Sequence, residues 1–196
     1  MIKVFLLTVI LSAGVPMICL AQPQFQPISL ISNEKSGVDD IKGEFHVDAD
    51  IQTAWNVLSD YERIPRFVNG LKKSHVEERH DDYLLLTQEV EGGVLFATKR
   101  IHVLLKVTEV ANQSISFQDI SQKDFYSYQG AWVLKPCPEG GVTVAFHLEA
   151  KRNFDMPFAG DCMHGGLKDL LVSVQKEIYS QQVLALNKAV IKVAMR

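Results

Sequence analysis

Through the second half of the chain, polar and apolar residues alternate with a period of two. Ile101, Val103, Leu105 and Val107 fall on one side of a strand, with Arg100, His102, Lys106 and Thr108 on the other. Val142, Val144, Phe146 and Leu148 oppose Thr143, His147, Glu149 and Lys151 in the same way. That pattern predicts a half-buried antiparallel sheet, dry on one face. Strand composition covers Ser74–Glu78, Tyr83–Val90, Val94–Val110, Ser114–Ile120, Phe125–Leu134 and Val142–Arg152. The breaks fall at His80-Asp81-Asp82, Glu91-Gly92-Gly93, Ala111-Asn112-Gln113 and Pro136 to Gly141, all turn formers. An earlier strand is predicted at Lys42–Val47, and a short one at Ile28–Ile31.

The period changes to 3.6 in two places. Ile51, Trp55 and Leu58 share one face of a helix over Ala49–Leu58, with Asp50 placed to cap it. A second short helix is expected over Tyr61–Phe67, disturbed by Pro65. From Gly166 onward, Leu167, Leu171, Val174 and Ile178 form a stripe widened by Leu170. Lys168, Asp169, Gln175, Lys176 and Glu177 take the opposite side. Such a helix must lay its stripe on something apolar, and the sheet is the large apolar surface available. Local reading therefore gives an α+β chain: one strand, two short helices, six further strands and a long helix.

The start of the chain is of another kind. Met1-Ile2-Lys3 carries one charge, Val4 to Leu20 is an uncharged 17-residue run, and Cys19-Leu20-Ala21 ends it with small residues at a peptidase's reading positions. This is the pattern of a cleavable secretory signal over residues 1–21. A membrane anchor is the alternative, but the run is short for a span and contains Pro16. Pro16-Met17-Ile18 before Cys19 fit a lipoprotein signal badly. Residues 22–41, rich in Gln, Pro, Ser and Asn, read as a poorly ordered lead-in.

Removing residues 1–21 leaves 175 residues, with 19 basic against 23 acidic side chains. That is one domain's length with a sizeable core. Its mild acidity argues against nucleic acid as a partner, since phosphate binding needs a basic surface. Cys137 and Cys162 remain, and export would permit a disulfide. Yet Cys137 lies before, and Cys162 beyond, an 11-residue strand, which spans about 36 Å at ~3.3 Å per residue. A disulfide holds its Cα atoms within about 7 Å, so none is expected between them.

No Gly-x-Ser-x-Gly and no close Ser, His and Asp set appears in the chain. Asp161, Cys162 and His164 cluster in sequence, but their spacing is unlike the common zinc patterns. His102 and His147 fall on polar strand faces, where exposure to solvent is the expectation. Gly165-Gly166 reads as the place where the backbone turns into the final helix, not as a phosphate loop. No cofactor or metal is expected.

Several stretches resemble a known superfamily. Val47-Asp48-Ala49-Asp50-Ile51 with Ala54-Trp55-Asn56-Val57-Leu58 is one. Asp60-Tyr61-Glu62-Arg63-Ile64-Pro65-Arg66-Phe67-Val68 is the most specific. Gly130-Ala131-Trp132-Val133-Leu134-Lys135-Pro136, Gly140-Gly141-Val142-Thr143-Val144 and Met156-Pro157-Phe158 follow in order. Together they resemble the START-like, helix-grip superfamily, in its cyclase/dehydrase and coenzyme-Q-binding branch, over a domain at 42–190. The resemblance implies a seven-stranded antiparallel sheet curled round the long C-terminal helix, with two short helices after the first strand. It also implies a cavity between sheet and helix for a lipid, quinone or polyketide-like molecule. The expected cavity residues are Phe67, Tyr126, Tyr128, Trp132, Phe146, Leu167 and Leu171, with Tyr126 and Tyr128 placed inward beside Trp132 by alternation. Each is read otherwise as ordinary core.

Three functions remain open on this reading. The first is an exported carrier of a hydrophobic small molecule, with a bacterial periplasm as destination and transient membrane contact among its partners. The second is a cyclase or dehydratase with ionisable groups in the cavity, from Glu89, Arg100, Asp119, Tyr126 and Tyr128; no positioned pair among them marks an enzyme. The third is an interaction module whose cavity has collapsed.

Overall fold

The computed structural model describes residues 25–94, 97–154 and 159–194. The candidate signal at 1–21 lies outside the described residues, as do Met156, Pro157 and Phe158. The first elements are strands β1 (Ser29–Lys35) and β2 (Val38–Val47), then helix α1 (Ile51–Ser59) and a 3-10 turn at Ile64–Arg66. Strands β3 (Leu71–Arg79), β4 (Leu84–Val94), β5 (Ala97–Val110) and β6 (Ser114–Asp119) follow. Strands β7 (Phe125–Pro136) and β8 (Val142–Arg152) and the helix α2 (Ala159–Ala194) complete the chain.

All strands belong to one antiparallel sheet, in the order β1-β2-β8-β7-β6-β5-β4-β3. The sheet thus has eight strands where seven are expected. The extra one is β1, drawn from the segment read as a poorly ordered lead-in. Ser36 and Gly37 both have positive φ, 54° and 75°, the two-residue turn whose twist suits a hairpin. They fold Ser29–Lys35 back onto β2, pairing Lys35 with Val38 and Ser29 with Glu44. The second short helix is likewise reduced to a single 3-10 turn containing Pro65. The expected turn at Glu91-Gly92-Gly93 is strand, with Gly92 and Gly93 paired to Lys99 and Thr98.

Local chemistry accounts for α1. The Asp50 carboxylate accepts from the Thr53 amide at 2.7 Å and caps the helix. Ala54, Val57 and Leu58 are buried. In β8 the apolar side of the alternation is fully inward: Val142, Val144, Phe146 and Leu148 are buried.

Helix α2 has 36 residues, roughly 54 Å at 1.5 Å per residue. Leu167, Leu171, Val174 and Ile178 are buried on the sheet, as their spacing predicts. Within the sheet the helix packs mainly on β2 and β4, on either flank of the curl, and it also packs on α1. On β2 it sits directly over Gly43, where a Cβ would come within 2.3 Å of a Leu171 methyl. Further round, the helix stands off from the sheet's middle strands.

The helix also begins at Ala159, earlier than its periodicity suggests, so Gly165 and Gly166 lie inside it instead of leading into it. Among the described residues, nothing stands within 4 Å of a Cβ at Gly165. Glycine inside a helix costs about 0.5–1 kcal/mol relative to alanine. Gly165→Ala should therefore raise stability by about that amount, measured by urea denaturation.

Candidate ligand cavity

A cavity of about 290 Å³ lies between the sheet and α2. Its floor is a run of aromatic side chains on β6, β7 and β8. The Trp132 and Phe146 ring centroids are 4.5 Å apart, Phe117 and Tyr128 5.9 Å, and Phe125 and Tyr128 4.8 Å. These separations are those of favourable offset and tilted pairs. Aliphatic side chains of β5, among them Ile101, Val103 and Val107, form one wall, and Leu167, Leu170 and Val174 of α2 form the roof. Asn69, Gly92 and Gly166 line the cavity and are also exposed, so the cavity meets solvent between the 3-10 turn, β4 and the first turns of α2.

Five of the seven expected cavity residues line it: Phe67, Tyr128, Trp132, Phe146 and Leu167. The other two need correction. Tyr126 is 65 % exposed. A register shift in the β7–β8 pairing between Phe125 and Ser127 inserts an extra residue there, and the bulge reverses the alternation. Phe125 and Tyr128 point inward and Tyr126 outward. Leu171 is fully buried, but its side chain is spent on Gly43 of β2 and stays out of the cavity lining. Cavity residues that the sequence reading left out include Ile101, Phe117, Lys99, Arg152 and Met163. The alternation of β5 already placed Ile101 on the apolar face, and that was the available signal.

Most polar wall groups are satisfied from outside the cavity. The Tyr61 hydroxyl donates to Glu109. Burial, and then that carboxylate, push the Tyr61 pKa well above the usual tyrosine value. Lys99 pairs with Asp124 at 2.9 Å and lies over the Phe154 ring at 4.3 Å. Burial works to raise the Asp124 pKa, but the His102 amide and Lys99 outweigh it and hold the carboxyl below its ordinary value. Arg152 pairs with the buried Asp39 at 3.1 Å. Tyr128 differs, because burial first and the Asp119 charge second push its phenol up to about 12. Across neutral pH it is therefore a neutral O–H at the cavity wall.

That shift has a measurable consequence. The folded state holds the Tyr128 proton more tightly than the unfolded chain, whose tyrosines titrate near 10. The resulting stability is present below about pH 10 and is lost as pH rises towards about 12. In a spectrophotometric titration, Tyr128→Phe should remove one late-titrating tyrosine. A wild-type titration complete by about pH 10.5 would contradict the burial of this phenol.

Of the other groups considered for acid–base work, Tyr128 alone lines the cavity. Arg100 pairs with Glu89 at 3.0 Å, and His102 stands 3.5 Å from the same carboxylate. Asp119 is buried, but it is taken up by backbone amides: Leu104 and Ser121 donate to one oxygen and Gln122 to the other. Cys162 lines the cavity near its opening, while Cys137 lies in the β7–β8 turn, its Sγ 3.0 Å from Thr143 Oγ1 and 3.4 Å from His46 Nδ1. Among the described residues, Asp40, His147 and Glu149 bring potential metal-ligating atoms within 4.8 Å of one another. This group sits outside the cavity and is already bonded: His147 to Asp40 at 2.7 Å, Lys42 to Asp40 at 3.3 Å and Gln129 to Glu149 at 2.9 Å.

The most specific stretch of the resemblance, Asp60 to Val68, shapes the opening. Tyr61, Ile64, Phe67 and Val68 line the cavity. Arg63 donates to Glu177 of α2 at 2.8 Å, and Gly70 accepts from the Glu91 amide of β4 at 2.7 Å. The loop is thus fastened to both sides of the gap it borders.

Residues 47–173 match the family model described as polyketide cyclase / dehydrase and lipid transport. No curated protein sequence matches the chain. Among solved structures, the STAR-related lipid transfer protein of Xanthomonas axonopodis is similar, with a TM-score of 0.61 at 14% identity, covering 77% of this chain and 98% of that one. An aromatase/cyclase of Streptomyces aligns with a TM-score of 0.60 at 10% identity over 74% of this chain and 93% of its own. A START superfamily protein of Mycobacterium smegmatis gives 0.55 at 15% identity over 74% and 98%. At these identities the likeness is one of fold.

Proposed function

Because the chain belongs to the polyketide cyclase / dehydrase and lipid transport family, we propose that it is an exported carrier of a hydrophobic or amphipathic small molecule. The observation that carries this reading is the aromatic-floored cavity between the sheet and α2. Its volume is near the lower end for small-molecule sites, and its mostly apolar wall with a few polar groups is the usual composition of such sites. A lipid, a quinone or a polyketide-like molecule fits this description. That similar folds include a lipid transfer protein and an aromatase/cyclase supports the same ligand range. Export rests on the charged start, apolar run and small-residue exit of residues 1–21. A periplasm is the compartment we assign to it.

Turnover of the bound molecule has less support. Acid–base catalysis needs positioned groups within reach of the reacting atoms. Here Lys99 and Arg152 are engaged by carboxylates, and among the described residues no hydrogen bond joins Tyr128 to the free Cys162 thiol, the other unpaired group at the wall. An interaction module with a collapsed interior is disfavoured by the cavity volume.

The test is direct. The mature protein from Gln22, purified without detergent, is examined by native mass spectrometry and by solvent extraction. One lipid, quinone or polyketide-like molecule per chain is the expected result. A clean apo mass that does not shift when lipids and quinones are added would overturn the carrier reading.

A further inference from the structure

Past Gln182, helix α2 leaves its own domain. Among the described residues, Gln182 is the last of the helix hydrogen-bonded to another element, accepting from the Asp50 amide at 3.2 Å. Leu184, Leu186, Val190, Ile191 and Val193 beyond it are 47–76 % exposed. Large aliphatic residues at this density on open helix are not ordinary surface.

Their position round the helix identifies what they are not for. Continuing the spacing of Leu167, Leu171, Val174 and Ile178 leads to Gln182, Ala185, Ala189 and Lys192. The stripe that packs on the sheet thus gives way to small and basic residues. At 100° per residue, the distal apolar residues centre roughly 150° round the helix from that stripe. They face away from the direction in which the domain packs, so they do not extend its core.

Charge then selects the occupant. Lys188, Lys192 and Arg196 recur at intervals of four, and no acidic residue follows Glu177 in the chain. The apolar arc covers about half the circumference, wider than the narrow seam of a coiled coil. A wide apolar face opposite a basic one is the composition of a helix that lies in the interface of an anionic membrane. No described helix is long and apolar enough to cross a membrane. Pairing with a second copy would align like-charged segments only 12 residues long, roughly 18 Å, too short for a stable two-helix contact. We infer that the distal part of α2, residues 183–194, docks the protein onto an anionic phospholipid surface. The chain as a whole carries a net charge of -3, so repulsion of the remainder favours approach by this basic tip. The inference does not depend on what fills the cavity.

Co-sedimentation with vesicles tests it. The mature protein from Gln22 should bind phosphatidylcholine vesicles that contain phosphatidylglycerol, and bind pure phosphatidylcholine vesicles weakly. High salt should weaken the binding, as screening requires. Lys188→Glu with Lys192→Glu should lower the affinity by at least about tenfold. Val190→Ser with Ile191→Ser should lower it similarly. Both pairs are exposed, and circular dichroism checks that their helices persist. Residues 1–21 are absent from every variant, so their own affinity for lipid plays no part. Binding unaffected by either pair, or no binding to anionic vesicles, would overturn the proposal. So would a concentration-dependent dimer in sedimentation equilibrium that Val190→Ser with Ile191→Ser abolishes.

Discussion

Gly130→Ala should destabilise the protein by about 3 kcal/mol, a large part of a typical domain's stability. Gly130 lies in the middle of β7, paired with Phe117 on β6 and Leu148 on β8. A Cβ built there falls 2.3 Å from the His147 carbonyl oxygen and 2.6 Å from Phe117 Cζ. The first neighbour is backbone in the adjacent strand and cannot rotate away. The second is an aromatic ring that forms part of the cavity floor. Even one methyl group therefore requires β7 and β8 to part or the ring to leave its place. Urea denaturation of Gly130→Ala beside Gly165→Ala makes the comparison internal. The same substitution should lower the midpoint steeply at the first site and raise it slightly at the second. A Gly130→Ala protein within about 1 kcal/mol of wild type would show that the sheet's curl is looser at β7 than this packing implies.

Much of this architecture was readable from residue pattern, and the exceptions share a cause. β8 runs from Val142 to Arg152, as its alternation predicts, because period-two patterning and burial of one face are the same fact. Asp50, Ile51 and Trp55 likewise placed α1 to within two residues. Alternation counted back from Trp132 misplaces Tyr126 because one extra residue reverses the faces on the far side of it, and nothing in Phe125-Tyr126-Ser127-Tyr128 marks the bulge. β1 was nearly lost because edge strands are short of apolar residues. Its real signal was the Ser36-Gly37 turn, a local feature with a specific backbone requirement. Leu171 was assigned to the cavity because it shares a stripe with Leu167. Which of two leucines on one stripe meets a void and which meets Gly43 depends on the tilt of the helix over the sheet, and that is a tertiary quantity. The same limit applies to Lys99 and Arg152, whose pairing with Asp124 and Asp39 joins residues 25 and 113 positions apart.

Ile101→Trp should weaken ligand binding at least about tenfold while leaving the fold intact. Ile101 lies on β5 opposite Val90, lines the cavity and is only half-buried, so its side chain adjoins open volume instead of close-packed core. An indole there grows into the cavity. Filling a void restores contacts that the lining lacks, so thermal stability should hold or rise. A fluorescent fatty-acid probe that titrates into the wild-type protein should bind the variant at least about tenfold more weakly, about 1.4 kcal/mol. Tyr126→Trp is the control. It introduces the same indole on the same sheet, but on the outward side of the β7 bulge, and should leave the affinity unchanged. Strict alternation would put Tyr126 beside Trp132 in the cavity, so the two tryptophans separate the actual geometry from the one that alternation implies. If the probe binds Ile101→Trp as tightly as wild type, the ligand site lies elsewhere on the chain. The aromatic floor would then be core packing around a void.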